Sequence, residues 1–316
     1  MSRGAEIAGC ERLILDGGLG TELERRGCNV RDSLWSARAL LEDPATIEQV
    51  HLDYLNAGAE CITTASYQIS FSGFARAGLS ERDAARALCE SVAVARRACE
   101  RFAEKNPTRR RPFVAASVGP YGATLADGSE FHGNYNCSFA ELVDFHHARL
   151  QILISAQPDI LACETLPSPD EARAILEALR GFADARAWFS FTCRDGLHTA
   201  HGEPIAECAR ALVQEAAVAA IGVNCTAPGW IASLVRELRS TTAKPIVVYP
   251  NRGQKWDAAT RSWTGTAEAT DLGLLAAEWY ALGARWIGGC CGTTPRDTER
   301  ISATLAAGDT GAAVSD

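Results

Sequence analysis

No run of the chain reaches the roughly 18 unbroken apolar residues that a membrane-spanning helix needs. Residues 1–16 also lack the basic flank and following apolar stretch of a secretory signal. These absences argue against a helical membrane protein and predict a cytoplasmic one. Basic charge is short as well: 31 Lys and Arg face 39 Asp and Glu, a net charge of −8. Nucleic acid and anionic membrane surfaces call for basic patches, so neither is an expected partner and small molecules are. No G-x-S-x-G elbow occurs, which leaves Ser/His/Asp hydrolysis without support. Gly17-Gly18-Leu19-Gly20 falls short of a dinucleotide loop because Leu23 holds the place of the third glycine. His132, His146, His147 and His201 show neither metal-ligand nor triad spacing and read as solvated surface or helix positions.

Cysteine, by contrast, is abundant. Twelve would suggest a disulfide scaffold in a short secreted chain, but 316 residues with 47% hydrophobic content can build a large core without staples. Most should be reduced thiols. Cys61, Cys89, Cys99, Cys163, Cys193 and Cys208 read as small buried hydrophobes. Cys225, Cys290 and Cys291 differ because each follows a short apolar run.

Eight such runs alternate with helical patterns: 13–15, 61–64, 113–118, 159–163, 187–192, 219–223, 246–249 and 285–287. Near-continuous apolar runs of this kind suit parallel strands buried on both faces. Eight repeats in roughly 300 residues predict a closed (β/α)8 TIM barrel, an α/β fold, over an open doubly wound sheet. We expect one domain over 1–316 with its core at about 11–305. Helices are expected at about 36–57, 81–103 and 139–155, with Pro169 opening another. Residues 119–137 and 250–267 read as long lid or binding loops.

In a barrel the residues after each strand share the C-terminal face, where active sites lie. Asp16, Thr63, Glu164, Asn224, Cys225, Cys290 and Cys291 are all placed there. The long interval between Cys225 and Cys290 is unlike the local ligand pairs of a zinc finger and suits ligands from strands six and eight. Three soft thiolates favour zinc, and a fourth position left open would make the site one that binds substrate. A vicinal disulfide or coincident core thiols is the alternative. On pattern alone Asp16 and Glu164 either cap the following helices or serve the site, and Trp35 and Tyr67 are either packing plugs or binding walls.

Asp16-Gly17-Gly18-Leu19-Gly20-Thr21-Glu22-Leu23, Leu34-Trp35-Ser36-Ala37, Thr63-Thr64-Ala65-Ser66-Tyr67, Ser117-Val118-Gly119-Pro120-Tyr121-Gly122, Glu164-Thr165, Gly222-Val223-Asn224-Cys225, Tyr249-Pro250-Asn251 and Gly289-Cys290-Cys291-Gly292 together resemble the zinc-dependent homocysteine S-methyltransferases. The resemblance runs from about residue 11 to 305. It implies zinc on Cys225, Cys290 and Cys291, with the homocysteine sulfur as fourth ligand. It also implies Asp16 and Glu164 on the homocysteine ammonium, Gly17 and Thr63 near its backbone end, and Asn224 among the substrate contacts. Three thiolates around zinc leave a net charge of −1, so the substrate sulfur stays electron-rich after losing its proton. A sulfonium suits as methyl donor because it departs neutral. The betaine-using branch of the family is similar at Trp35 and Tyr67 but carries an aromatic residue where this chain has Thr165, so an aromatic cage is incomplete here. The branch using S-methylmethionine, or S-adenosylmethionine less well, is the one the chain resembles, with Trp35 and Tyr67 facing the sulfonium. The betaine branch's C-terminal oligomerisation extension is missing, which predicts a monomer. Betaine as donor, and a barrel whose zinc only braces the fold, are the competing readings.

Overall fold

Parallel strands supply the frame. In the computed structural model, which describes residues 3–28, 34, 36–257, 262–265 and 270–311, they are β1 (Leu13–Ile14), β2 (Cys61–Thr63), β3 (Phe113–Val118), β4 (Ile160–Leu166), β5 (Ala187–Phe191), β6 (Val218–Asn224), β7 (Ile246–Tyr249) and β10 (Ala284–Ile287). A small antiparallel hairpin, β8 (Lys255–Asp257) with β9 (Ser262–Thr264), sits between the last two. The barrel strands pair in the order β1-β10-β7-β6-β5-β4-β3-β2. A parallel bridge between Leu15 and Cys61 brings the two ends of that order together. Asp16 N donates to Cys61 O at 3.1 Å and Glu60 N to Ile14 O at 2.8 Å across the same seam. The expected (β/α)8 barrel is therefore the observed one.

Alternation along each strand splits the core in two. Phe113 and Ala115 of β3 belong to the barrel interior, while Val114, Ala116 and Val118 join the larger layer between sheet and helices. Inside, two tryptophans, Trp188 and Trp286, meet edge to face at 5.9 Å, and Trp188 meets Tyr249 the same way at 6.4 Å. Such bulk fits because Ala115, Ala162 and Ala220 face it from other strands. The N-terminal helix Arg3–Ala8, which the sequence did not announce, contributes the fully buried Ile7 to this interior cluster. Trp286 Nε1 donates to Cys10 O, so the indole keeps a partner when buried.

One interstrand approach is tight enough to test. Gly222 pairs with Val247, and a Cβ built on Gly222 would stand 1.7 Å from Val247 O. Gly222→Ala must therefore push β6 from β7. A loss of about 3 kcal/mol is expected, read as a lower urea midpoint with an unchanged slope.

Helices Phe139–Ser155 and Glu81–Lys105 lie where periodicity placed them, each opened by a serine capping box. The expected single helix at 36–57 is instead two, Ser36–Glu42 and Pro44–Asn56. Asp43 caps the second by accepting from Thr46 N, and Pro44 can stand only in its first turn. Residues 119–137 are not bare loop: they hold the helix Tyr121–Leu125 and a 3-10 turn, Ser129–Phe131. Among the described residues no helix is long and apolar enough to cross a membrane.

Two expectations about single residues are corrected. Cys89 is exposed, on the outer side of its helix, although Cys61, Cys99, Cys163, Cys193 and Cys208 are buried as expected. His146 is fully buried, not solvated, because Glu171 receives it at 2.5 Å in an equally buried site. Trp35 lies outside the described residues.

Candidate active site

Neighbouring residues of a strand point to opposite faces, so Cys290 and Cys291 can converge only beyond the end of β10. The chain leaves that strand at Ile287 and turns. Gly289 N donates to Asp16 O at 2.9 Å, Cys290 N to Pro250 O at 2.8 Å, and Thr293 Oγ1 to Cys290 O at 2.6 Å. Gly292 completes the turn at φ +80°, a conformation that suits glycine, and its N–H donates to Thr21 Oγ1. Cys225 arrives from β6 with φ +48°, unusual for a side chain of its kind. Its N–H is held by Tyr249 O, and its carbonyl accepts from Asn251 Nδ2 at 3.1 Å.

These turns bring three sulfurs together. Cys225 Sγ and Cys290 Sγ each lie 3.9 Å from Cys291 Sγ, and all three atoms fall within 4.8 Å of one another. Tetrahedral zinc with bonds of about 2.3 Å sets its sulfurs about 3.8 Å apart, so the donor set and spacing fit that ion. Hydrogen bonds from Cys225 and then Cys290 hold the Cys291 thiol well below its ordinary pKa. All twelve cysteines are free.

A cavity of about 130 Å³ opens beside the sulfurs. Asp16, Gly17, Thr63, Tyr67, Glu164, Cys225, Cys290 and Cys291 line it, so most of the residues expected from sequence share one space. Neither carboxylate caps a helix: Gly18 and Ser168 take the N-cap positions nearby. Asp16 is 3% exposed and accepts from Thr63 N at 2.8 Å and Thr63 Oγ1 at 3.0 Å. Burial still lifts its pKa to about 8 against those hydrogen bonds, and the charge of Glu164 adds to the rise. Glu164 accepts from Ser117 Oγ. Burial first, then the Cys290 charge, raises its pKa to about 7. Two carboxylates held so reluctantly ionised are arranged for a cation.

Glu164 owes its aim to a bulge. The register between β4 and β5 shifts between Cys163 and Leu166, and Thr165 sits at φ +57°. A β-branched residue there is strained by about 1–3 kcal/mol. Asn224 holds it in place: its Oδ1 accepts from Thr165 N at 2.7 Å and its Nδ2 donates to Thr165 Oγ1 at 2.8 Å. Ser190 Oγ donates to the same Oδ1. Asn224 is thus fully buried behind the cavity and braces the residue beside Glu164 without lining the space itself.

Several supporting groups carry no sequence signal. Arg149 is buried on the helix Phe139–Ser155 and donates to Gly119 O at 2.8 Å and Tyr67 O at 2.9 Å, tying together the segments after β2 and β3. Glu171 Oε1 meets His146 and also accepts from Tyr121 N at 2.9 Å. Tyr249 links the barrel interior to the site through hydrogen bonds with Trp188 and Ser190. Helical periodicity marks His146 and Arg149 only as helix positions, and nothing local tells that tertiary structure will bury them.

Comparison with known proteins gives the same picture. The family model described as homocysteine S-methyltransferase matches residues 13–305. Homocysteine S-methyltransferase YbgG of Bacillus subtilis is 50% identical over 92% of this chain and 93% of its own. The homocysteine S-methyltransferase of Escherichia coli is 46% identical over 92% and 94%. The crystal structure of the E. coli homocysteine methyltransferase MmuM in its metallated form superposes with a TM-score of 0.85 at 44% identity, covering 95% of this chain and 98% of that one.

Proposed function

Because the chain belongs to the homocysteine S-methyltransferase family, we propose that it transfers a methyl group from a sulfonium donor to the sulfur of L-homocysteine, giving methionine. The observation that carries the reading is the three-thiol cluster opening onto the same cavity as the Asp16 and Glu164 carboxylates. Cys225, Cys290 and Cys291 would hold Zn2+. Zinc bound there supplies a Lewis acid that lets the homocysteine thiol give up its proton at neutral pH.

The chain's own residues do the rest. Asp16 and Glu164 take the substrate ammonium, Thr63 fixes Asp16 through two donors, and the Asn224 brace keeps Glu164 aimed. Gly17 lines the same cavity, and a Cβ on it would stand 2.8 Å from Tyr54 Cε1 and from Thr293 Oγ1. The homocysteine sulfur then displaces the donor in line: its lone pair forms the new S–CH3 bond, and the old C–S bond gives its electrons to the departing sulfur. That sulfur leaves as a neutral thioether, so no acid is needed. The rate depends on alignment, which rigid strand ends provide. S-methylmethionine is the favoured donor and S-adenosylmethionine the second. Thr165 in the cavity wall, where a cage for quaternary ammonium needs a ring, supports a sulfonium over betaine. Tyr67 would face the donor. A cytoplasmic monomer is part of the same reading, and the twelve free thiols support that compartment.

Two measurements test it. Zinc-loaded protein given homocysteine with S-methylmethionine, S-adenosylmethionine or betaine should make methionine from the sulfoniums, and product from betaine alone would overturn the donor choice. X-ray absorption at zinc should show one more sulfur neighbour when homocysteine is added. An unchanged shell would mean that the metal only braces the barrel.

A further inference from the structure

The reaction as described leaves one charged side chain of the cavity unused. Glu130 lines the cavity from the 3-10 turn Ser129–Phe131, and its charge is felt by Tyr67 on the same wall. It is 7% exposed, and its Oε2 is buried without a hydrogen-bond partner. The turn itself is well made: Ser129 N donates to Asp127 Oδ1 at 2.9 Å, Phe131 N to Gly128 O at 3.0 Å and Gly133 N to Ser129 O at 2.8 Å. An ordered backbone therefore sets Glu130 in the cavity wall. A buried carboxylate oxygen left without a partner is costly, and a ligand, an ion or a water would complete it.

The backbone N–H of Glu130 itself favours the charged carboxylate, Asp127 on the same turn opposes it, and Glu130 in turn raises the pKa of Tyr67 and of Tyr135. Burial lifts its pKa to about 7, and Asp127 adds to the rise, so what would restore its charge is a cation. Its place in the cavity narrows which one. Tyr67 feels the charges of Glu130, Cys225 and Glu164 alike, and Glu130 joins the cavity from the 3-10 turn, not from the strand ends that carry the thiols and Glu164. The reacting sulfonium must stand in line with the sulfur held at those thiols. What reaches Glu130 is then the far end of the donor.

We propose that Glu130 is a donor-binding residue whose carboxylate pairs with the α-ammonium of an amino-acid sulfonium such as S-methylmethionine. The inference rests on the methyl-transfer reading above. An ammonium keeps its charge throughout the reaction, so this contact favours ground state and transition state alike and is felt in KM more than in kcat.

The test uses the zinc-loaded full chain. For Glu130→Gln, KM for S-methylmethionine should rise about 10- to 100-fold, the loss of one charge-assisted hydrogen bond. The kcat should stay within about twofold and KM for homocysteine should not move. Glu130→Asp should recover part of the loss, and calorimetric titration with S-methylmethionine should show the same weakening without turnover. Dimethylsulfonioacetate, which has the sulfonium but no ammonium, should be used equally well by wild type and variant. An unchanged KM for S-methylmethionine, or an equal loss for homocysteine, overturns the assignment. An equal loss with dimethylsulfonioacetate overturns the ammonium contact. Wild-type protein that takes methyl groups from no sulfonium sinks the methyl-transfer reading and this inference with it, whereas an active wild type and an unaffected variant sink only this one.

Discussion

Cys290→Ala should abolish stoichiometric zinc binding and lower methyl transfer by about 1,000-fold or more. Two effects multiply. Without the metal the homocysteine thiol, with a pKa near 8.5, is only about 3% ionised at pH 7, a loss of about 30-fold. Loss of a fixed position for that sulfur costs at least another ~100-fold. The fold should survive, because Cys290 lies beyond the end of β10 and is only partly buried, and the barrel interior is closed by Trp188, Trp286 and Tyr249. Metal content, steady-state rate and a thermal unfolding curve together decide the matter. Loss of cooperative unfolding in the metal-free variant would show that the cluster holds the barrel and not the substrate.

Asp16→Asn should raise KM for homocysteine by about 100-fold while making the substrate-free protein more stable. The first effect is the loss of one charge-assisted contact to the ammonium. The second follows from the Asp16 pKa, lifted by burial from 3.8 to about 8. A carboxyl whose pKa is higher folded than unfolded binds its proton more tightly when folded. Its contribution therefore falls as pH rises from about 4, and the full penalty is reached only above about pH 8. Asparagine, which keeps an acceptor for Thr63, escapes that penalty. We expect the variant to melt roughly 5 °C higher than wild type at pH 8 and close to wild type at pH 5. Saturating homocysteine should narrow the difference at pH 8, since wild type gains more from the ligand than the weaker-binding variant does. A variant that melts lower at pH 8 would show that the carboxylate is satisfied by the protein alone.

How much of this the sequence revealed depends on the range of the interaction behind each feature. Strands β3 and β7 begin and end at the residues their apolar runs marked, and the helix Phe139–Ser155 matches its periodicity. Burial on both faces of a sheet, or on one face of a helix, writes itself into every residue of the segment. The three cysteines were legible because two of them stand where a strand has ended and glycine follows. Asp16 and Glu164 were visible as carboxylates near strand ends, but their freedom from capping duty was not. Nor was the bulge at Thr165, because β4 continues to Leu166 through a residue whose conformation its side chain disfavours. Glu130 had no signal at all: a three-residue 3-10 turn has no period to detect. His146 and Cys89 failed in opposite senses for one reason, that helical phase in an Ala- and Arg-rich or mixed segment does not settle which neighbours arrive.

Asn224 binds Thr165 through both backbone and hydroxyl, and it directly precedes Cys225 in the chain. One amide thus couples the wall that would receive an amino group to the wall that would receive a sulfur. The interval between them works as a ruler. Homocysteine carries one more methylene between nitrogen and sulfur than cysteine does, and a molecule that falls short at one wall cannot be met by moving the other. A difference of one methylene is worth about 1–3 kcal/mol when a site cannot adapt. Cysteine, common in any cell, would thereby be disfavoured as methyl acceptor by about 10- to 200-fold through length alone.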